Sequence, residues 1–220
     1  MSSYAKLLEG YKIFRKDYLA QENTAWRNDA KDGQSPKVMI IACSDSRVNP
    51  AIITRASLGD IFVVNNVANL VPPYRKCGNT HHSTSAAIEF AVIHLKVAHI
   101  IIMGHSGCGG IRALMASHDN PPEAPAEAPE HYSFIRPWMD IVDEAAEFTA
   151  QEKAETDIEA RATTCERRAS LISLNNLATF PWVKEAMENN SLKIHAWHYD
   201  IGSGILLEYD DKTEKFEELI

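Results

Sequence analysis

THHSTSAAIEFAVIHLKVAHIIIMGHSGCGG, residues 80–110, decides the fold. Its first part reads as a helix beginning near Ser83 or Ser85. HIIIM (99–103) then reads as a buried strand that runs through Gly104 into a glycine loop carrying His105 and Cys108. Upstream, QSPKVMIIAC (34–43) puts an apolar run, Val38 to Ala42, behind Pro36 and ends at Cys43, and IFVVN (61–65) has the same character. Short uninterrupted apolar runs are the mark of parallel strands buried on both faces. Strand, helix, strand is the βαβ unit.

Working outward, residues 4–19 set Tyr4, Leu7, Leu8, Tyr11 and Phe14 at helical spacing with Lys6, Glu9, Lys12 and Lys16 between them, an amphipathic helix in want of a surface. After Gly109, IRALMASH predicts a short helix, and the Pro- and Ala-rich acidic stretch 118–132 predicts a surface loop. Helical periodicity returns at about 133–153 and 158–178, and PWVKEAMENN opens a further helix with proline in its first turn. LKIHAWHYDIGSGILLEYD (192–210) reads as a hairpin turning across Gly202, Ser203 and Gly204. With no internal repeat or linker, the expectation is a single α/β domain over 1–220. It has a central, mainly parallel sheet with helices on both faces, an antiparallel C-terminal edge and an N-terminal helical arm.

Composition excludes several classes. With 45% hydrophobic residues, 220 residues can bury a substantial core. Twenty-two Lys and Arg against thirty Asp and Glu leave a formal net charge of -8, which disfavours a nucleic-acid partner. No apolar run reaches the roughly 18 residues of a membrane span, and the N-terminus has no signal-peptide core, so a cytoplasmic protein with no membrane partner is expected. Cys43, Cys77, Cys108 and Cys165 are therefore expected to be reduced.

Two strands end in reactive side chains: IACSDSR delivers Cys43, Asp45 and Arg47, and MGHSGCGG delivers His105 and Cys108. Ligands of open α/β sheets bind beyond the carboxyl ends of strands, so both loops face one crevice on this reading. Two thiols and an imidazole suit Zn²⁺, although H-x-x-C alone is a weak signal. The glycines fit neither GxGxxG nor GxxxxGK[ST], and no lysine follows to reach a phosphate. Buried structural cysteines remain an alternative, opposed by the polar company of Ser44, Asp45, Ser46 and Arg47, which a dry core would leave unpaired. A redox thiol would need a resolving partner, and the chain has no C-x-x-C. His81, His82, His94, His99, His195 and His198 read as packing or surface residues.

CSDSR (43–47) with HSGCGG (105–110), flanked by QSPK, GDIFVVNNVANLVPPY, LATFPWV and HAWHYDIGSGILL, resembles the β-class carbonic anhydrases over roughly residues 30–210. The resemblance implies one zinc per chain on Cys43, His105 and Cys108, and reversible hydration of CO₂ to bicarbonate. It makes Asp45 and Arg47 the catalytic pair beside an open fourth metal position, with Asp45 itself a ligand only in a closed form. Gln34, Phe62, Val67 and Phe90 would shape the cleft for CO₂ or bicarbonate. The resemblance also implies a homodimer built through N-terminal helices within 1–30, with tetramers in some members.

One departure stands out: where the family usually has Arg-Asn, this chain has Asn65-Asn66. In one branch that Arg, with a Trp at the position of Gln34 and a Tyr, builds an inhibitory bicarbonate site accompanying the closed metal. Gln34 and Asn65 therefore favour the open, water-bound form without that site. Competing readings keep the same site for hydrolysis of CS₂ or COS, or make the chain a non-catalytic zinc or bicarbonate sensor.

Overall fold

The computed structural model describes residues 2–20, 33–75, 82–119, 134–151 and 157–220. The chain divides into an N-terminal unit, Met1–Ser35, and a main unit, Pro36–Ile220. The N-terminal unit holds helix α1 (Ser3–Leu19), capped by the Ser2 hydroxyl, which accepts the Ala5 N–H at 3.2 Å. Tyr4, Leu7, Tyr11 and Phe14 lie exposed along it. The rest of the expected N-terminal helical arm up to residue 30, Cys77 and nearly all of the 118–132 stretch fall outside the described residues.

In the main unit, β1 (Val38–Cys43), β2 (Ile61–Asn66), β3 (His99–His105) and β4 (Lys193–Tyr199) run parallel, and β5 (Leu206–Asp210) and β6 (Lys215–Glu218) add an antiparallel edge. The order is β2-β1-β3-β4-β5-β6. β1 and β3 are neighbours although about sixty residues separate them, so their C-terminal loops emerge side by side.

The apolar runs of β1 and β3 are buried as expected, whereas β2, which has a neighbour on one side only, is half-buried and leaves Val63 exposed. Met39, Ile41, Ile100 and Ile102 pack on one face with Ile88, Phe180 and Val183, from α3 (Ser83–Glu89) and around α8 (Pro181–Glu188). Ile40, Ala42, Ile101 and Met103 pack on the other face with Val48 and Ile53, the latter from the short helix α2 (Pro50–Thr54). Each large side chain buried this way contributes about 1.5–3 kcal/mol relative to exposure. Beyond the strand ends, α4 (Gly109–Asp119), α6 (Asp143–Gln151) and α7 (Ile158–Leu177) form a third cluster that includes Cys43 and Cys108.

Four further details differ from expectation. The helix expected over 133–153 is α5 (Ile135–Met139), a 3₁₀ turn (Asp140–Val142) and then α6. His118 and Asp119 belong to α4 rather than to the loop, with His118 Nε2 2.9 Å from Asp143. α3 widens into a π-helical turn over Phe90–Leu95, and β6 adds a strand after the expected hairpin.

Gly104, near the end of β3, is required by close approach: a Cβ there would overlap the Ser170 hydroxyl of α7. That hydroxyl donates to the Glu166 carbonyl and accepts from Asn69 Nδ2, so it cannot move freely. Gly104→Ala is expected to destabilise the protein by about 1–3 kcal/mol, a typical overpacking penalty. Urea unfolding measures it, and an unchanged midpoint would contradict it.

Candidate metal centre

β1 delivers Cys43 and β3 delivers His105, while Cys108 follows one turn later, just before α4 begins. All three are buried, at 5%, 1% and 2% exposure, and one donor atom from each lies within 4.8 Å of the others. The His105 ring is oriented by its neighbour: Nδ1 lies 3.0 Å from the Ser106 carbonyl, which can only accept, so Nδ1 carries the proton. Nε2 is then a lone pair, and it is buried without a hydrogen-bond partner. An orphaned imidazole nitrogen beside two thiols is the donor set of a zinc site, and these residues fit that ion.

The electrostatics agree. The Cys43 thiol is pushed down, first by a hydrogen bond from the Cys108 thiol and also by backbone N–H groups of Asp45 and Ala68. Cys108 is pushed up because it would have to ionise beside that thiolate and out of water, although the amides of Gly110 and Ile111 at the start of α4 oppose this. Both thiolates can coexist only with a cation between them. Burial disfavours the imidazolium of His105, but the Cys43 sulfur and the Ser106 carbonyl outweigh it and raise its pKa.

The backbone is shaped to fit. Gly107 has φ +71°, a turn that glycine adopts without strain, and Gly110 sits where a Cβ would press on Val67 and Met139 at 3.1 and 3.2 Å. Gly109 faces open space. Ala68 and Asn69 both hold positive φ, 62° and 51°, beside the cluster, an uncommon conformation for residues with a side chain.

Asp45 is turned onto Arg47. Its Oδ1 accepts from the Arg47 backbone N–H and from Nε, both at 2.9 Å, and its Oδ2 accepts from Nη2 at 2.7 Å. The side-chain hydrogen bonds from Arg47 hold this carboxyl well below the usual carboxylate range. Arg47 Nη2 also donates to the Gly107 carbonyl at 3.2 Å, tying the two loops together.

Val67 follows β2 and approaches Gly110 beside the centre. Phe62 and Phe90 form a tilted ring pair with centroids 6.0 Å apart, and Phe90 also stacks on His94. Gln34 is exposed in the N-terminal unit. Asn65, the unusual residue, donates from Nδ2 to the Cys43 carbonyl at 2.9 Å.

Two buried titratable residues near the centre are not singled out in the sequence. Glu166, on α7, is 3% exposed and accepts the Cys108 N–H at 2.9 Å; burial pushes its pKa up to about 7. His198, read as packing, is buried on β4 with Nε2 4.0 Å from Glu166. His99 and His195 are satisfied as expected, His195 lying 2.9 Å from His99 and 2.6 Å from Glu208.

Comparison with known proteins agrees with the fold and the donor set. The carbonic anhydrase family profile matches residues 38–206. Beta carbonic anhydrase 3 of Arabidopsis thaliana is 37% identical over 215 residues, covering 97% of this chain and 80% of that protein. Among solved structures, the β-carbonic anhydrase CcaA superposes with a TM-score of 0.85 at 28% identity, over 100% of this chain and 93% of that one. A structure of tetrameric β-carbonic anhydrases from Sordaria macrospora superposes at 0.77 with 29% identity, over 94% and 96% of the two chains. A match across most of the length, on a sheet that brings two thiols and an imidazole to one point, leaves one assignment: the chain belongs to the β-class carbonic anhydrases, zinc lyases that interconvert CO₂ and bicarbonate.

Proposed function

We propose that this chain hydrates CO₂ reversibly at a zinc held by Cys43, His105 and Cys108, in the open form, with Asp45 paired to Arg47 rather than to the metal. The observation that carries the open reading is the set of three hydrogen bonds from Arg47, which engage both carboxylate oxygens of Asp45. When bound, zinc supplies the Lewis acidity that lets a water ionise near neutral pH. Asp45, ionised and therefore an acceptor only, takes a hydrogen bond from the attacking oxygen and turns its lone pair toward CO₂. Arg47 holds that carboxylate in place through paired, charge-assisted bonds. Asn65 supports the same reading, because it brings no cation that could hold an inhibitory anion and spends its amide on the Cys43 carbonyl.

Two thiolate donors offset the metal's charge, so kcat/KM for hydration is expected to rise with pH through an apparent pKa above about 7. Asp45 cannot be the titrating group. Its lowered pKa means that its contribution is in place above the ordinary ~3.9 and is lost only in stronger acid. Stopped-flow hydration across pH, with and without a chelator, tests this reading; a flat profile between about pH 6.5 and 9 would contradict it.

The chain also reads as a homo-oligomer. The exposed apolar residues of α1 supply a surface to bury on assembly, and the Sordaria macrospora relatives are tetramers. Light scattering after gel filtration separates dimer from tetramer. Free Cys43, Cys108 and Cys165 support a cytoplasmic setting, and no helix among the described residues is long and apolar enough to cross a membrane.

A further inference from the structure

A carboxyl group as buried as Glu166 costs stability unless it is paired, and this one is only half paired. Oε1 accepts the Cys108 N–H at 2.9 Å, while Oε2 has no hydrogen-bond partner among the described residues. His198 Nδ1 and Arg167 Nε are also buried without partners. With His105 Nε2, they make four of the six such side-chain atoms among the described residues, and His198 Nε2 comes no nearer than 4.0 Å to Glu166 Oε2. An apolar residue would pack α7 against the sheet more cheaply, so the carboxyl serves something other than packing. Cys108 precedes the first turn of α4, where a backbone N–H has no acceptor within the helix, and Glu166 supplies one.

We infer that Glu166 is a positioning residue of the metal centre: by fixing the Cys108 peptide across 58 residues of sequence, it holds that sulfur opposite Cys43 and His105. The inference rests on Cys108 being a zinc ligand. It assigns the role to the Oε1 acceptor and not to the charge.

Glu166→Gln keeps an oxygen acceptor, and Glu166→Met keeps the length of the side chain without one. Zinc release to excess 4-(2-pyridylazo)resorcinol, followed by absorbance, separates them. Wild type and E166Q should agree within about threefold, whereas E166M should release zinc about 10- to 100-fold faster, the usual effect of losing a partner that orients a ligand. The thiolate-to-cobalt band of the Co²⁺-substituted protein should shift or weaken in E166M alone. Release from folded E166M at the wild-type rate, or equally fast release from E166Q, overturns this inference and leaves the zinc site standing. A wild-type chain that carries no zinc overturns both. If E166M does not fold, hydrogen exchange of the Cys108 amide in metal-free wild type decides: protection is expected, and exchange as fast as in an open loop overturns the inference.

Discussion

His105→Ala is expected to give a folded protein that no longer retains zinc and whose kcat/KM for CO₂ hydration falls by at least ~10³-fold, about 4 kcal/mol of transition-state stabilisation. The side chain is committed to one purpose. Its Nδ1 is tied to the Ser106 carbonyl, and its Nε2 has no partner in a buried position, an arrangement that costs stability unless an electron-pair acceptor sits there. Without it, two thiols remain that resist ionising together, since Cys108 is raised by the neighbouring Cys43 thiolate. Asp45 could replace the lost donor only by giving up its hydrogen bonds to Arg47. Metal analysis after gel filtration, stopped-flow hydration and a thermal melt of the metal-free forms check the three parts. Stoichiometric zinc with near wild-type turnover in this variant would sink the assigned ligand set.

Much of this site could be read from the sequence because its parts sit at strand ends. VMIIAC and HIIIMGH are apolar enough to be recognised as buried parallel strands, and a buried strand must deliver whatever follows it to the edge of the sheet. That β1 and β3 are hydrogen-bonded neighbours is a tertiary fact, and it turned two separate loops into one centre. The breaks in local structure were harder to see. KFEE in β6 has a single apolar residue to mark a strand, and the π turn at Phe90–Leu95 is set by packing rather than by any residue type. The Asn49 cap before Pro50 was a usable sign of α2. Glu166 was hidden by its neighbours, because Glu166-Arg167-Arg168 looks like a solvated charge run. Its burial follows from the rotation of α7, and the only sequence trace is a stripe of Glu166, Ser170, Ser173 and Leu177 at helical spacing, all buried.

Arg47→Ala should keep its zinc and still lose activity by about 100-fold or more, roughly 3 kcal/mol. Arg47 makes two side-chain bonds to Asp45 and one to the Gly107 carbonyl, so its removal frees the carboxylate and unties the two loops at once. On the proposed mechanism Asp45 would be more than an aligner: an ionised carboxylate close to a cationic centre is itself a competent ligand, and its hydrogen bonds to Arg47 favour the other orientation. Freed, it would occupy the position that substrate water needs and add a negative charge to a donor set already holding two thiolates. Arg47→Lys should fall between the two, because an ammonium keeps the charge but cannot make the paired bonds to both oxygens. Retained metal with lost turnover separates this failure from that of His105→Ala, and a Co²⁺ spectrum that no longer responds to pH would mark the fourth position as taken. Near wild-type turnover in Arg47→Ala would mean that Asp45 needs no restraint, and the contact with Arg47 would then be a surface ion pair of the ordinary, weak kind.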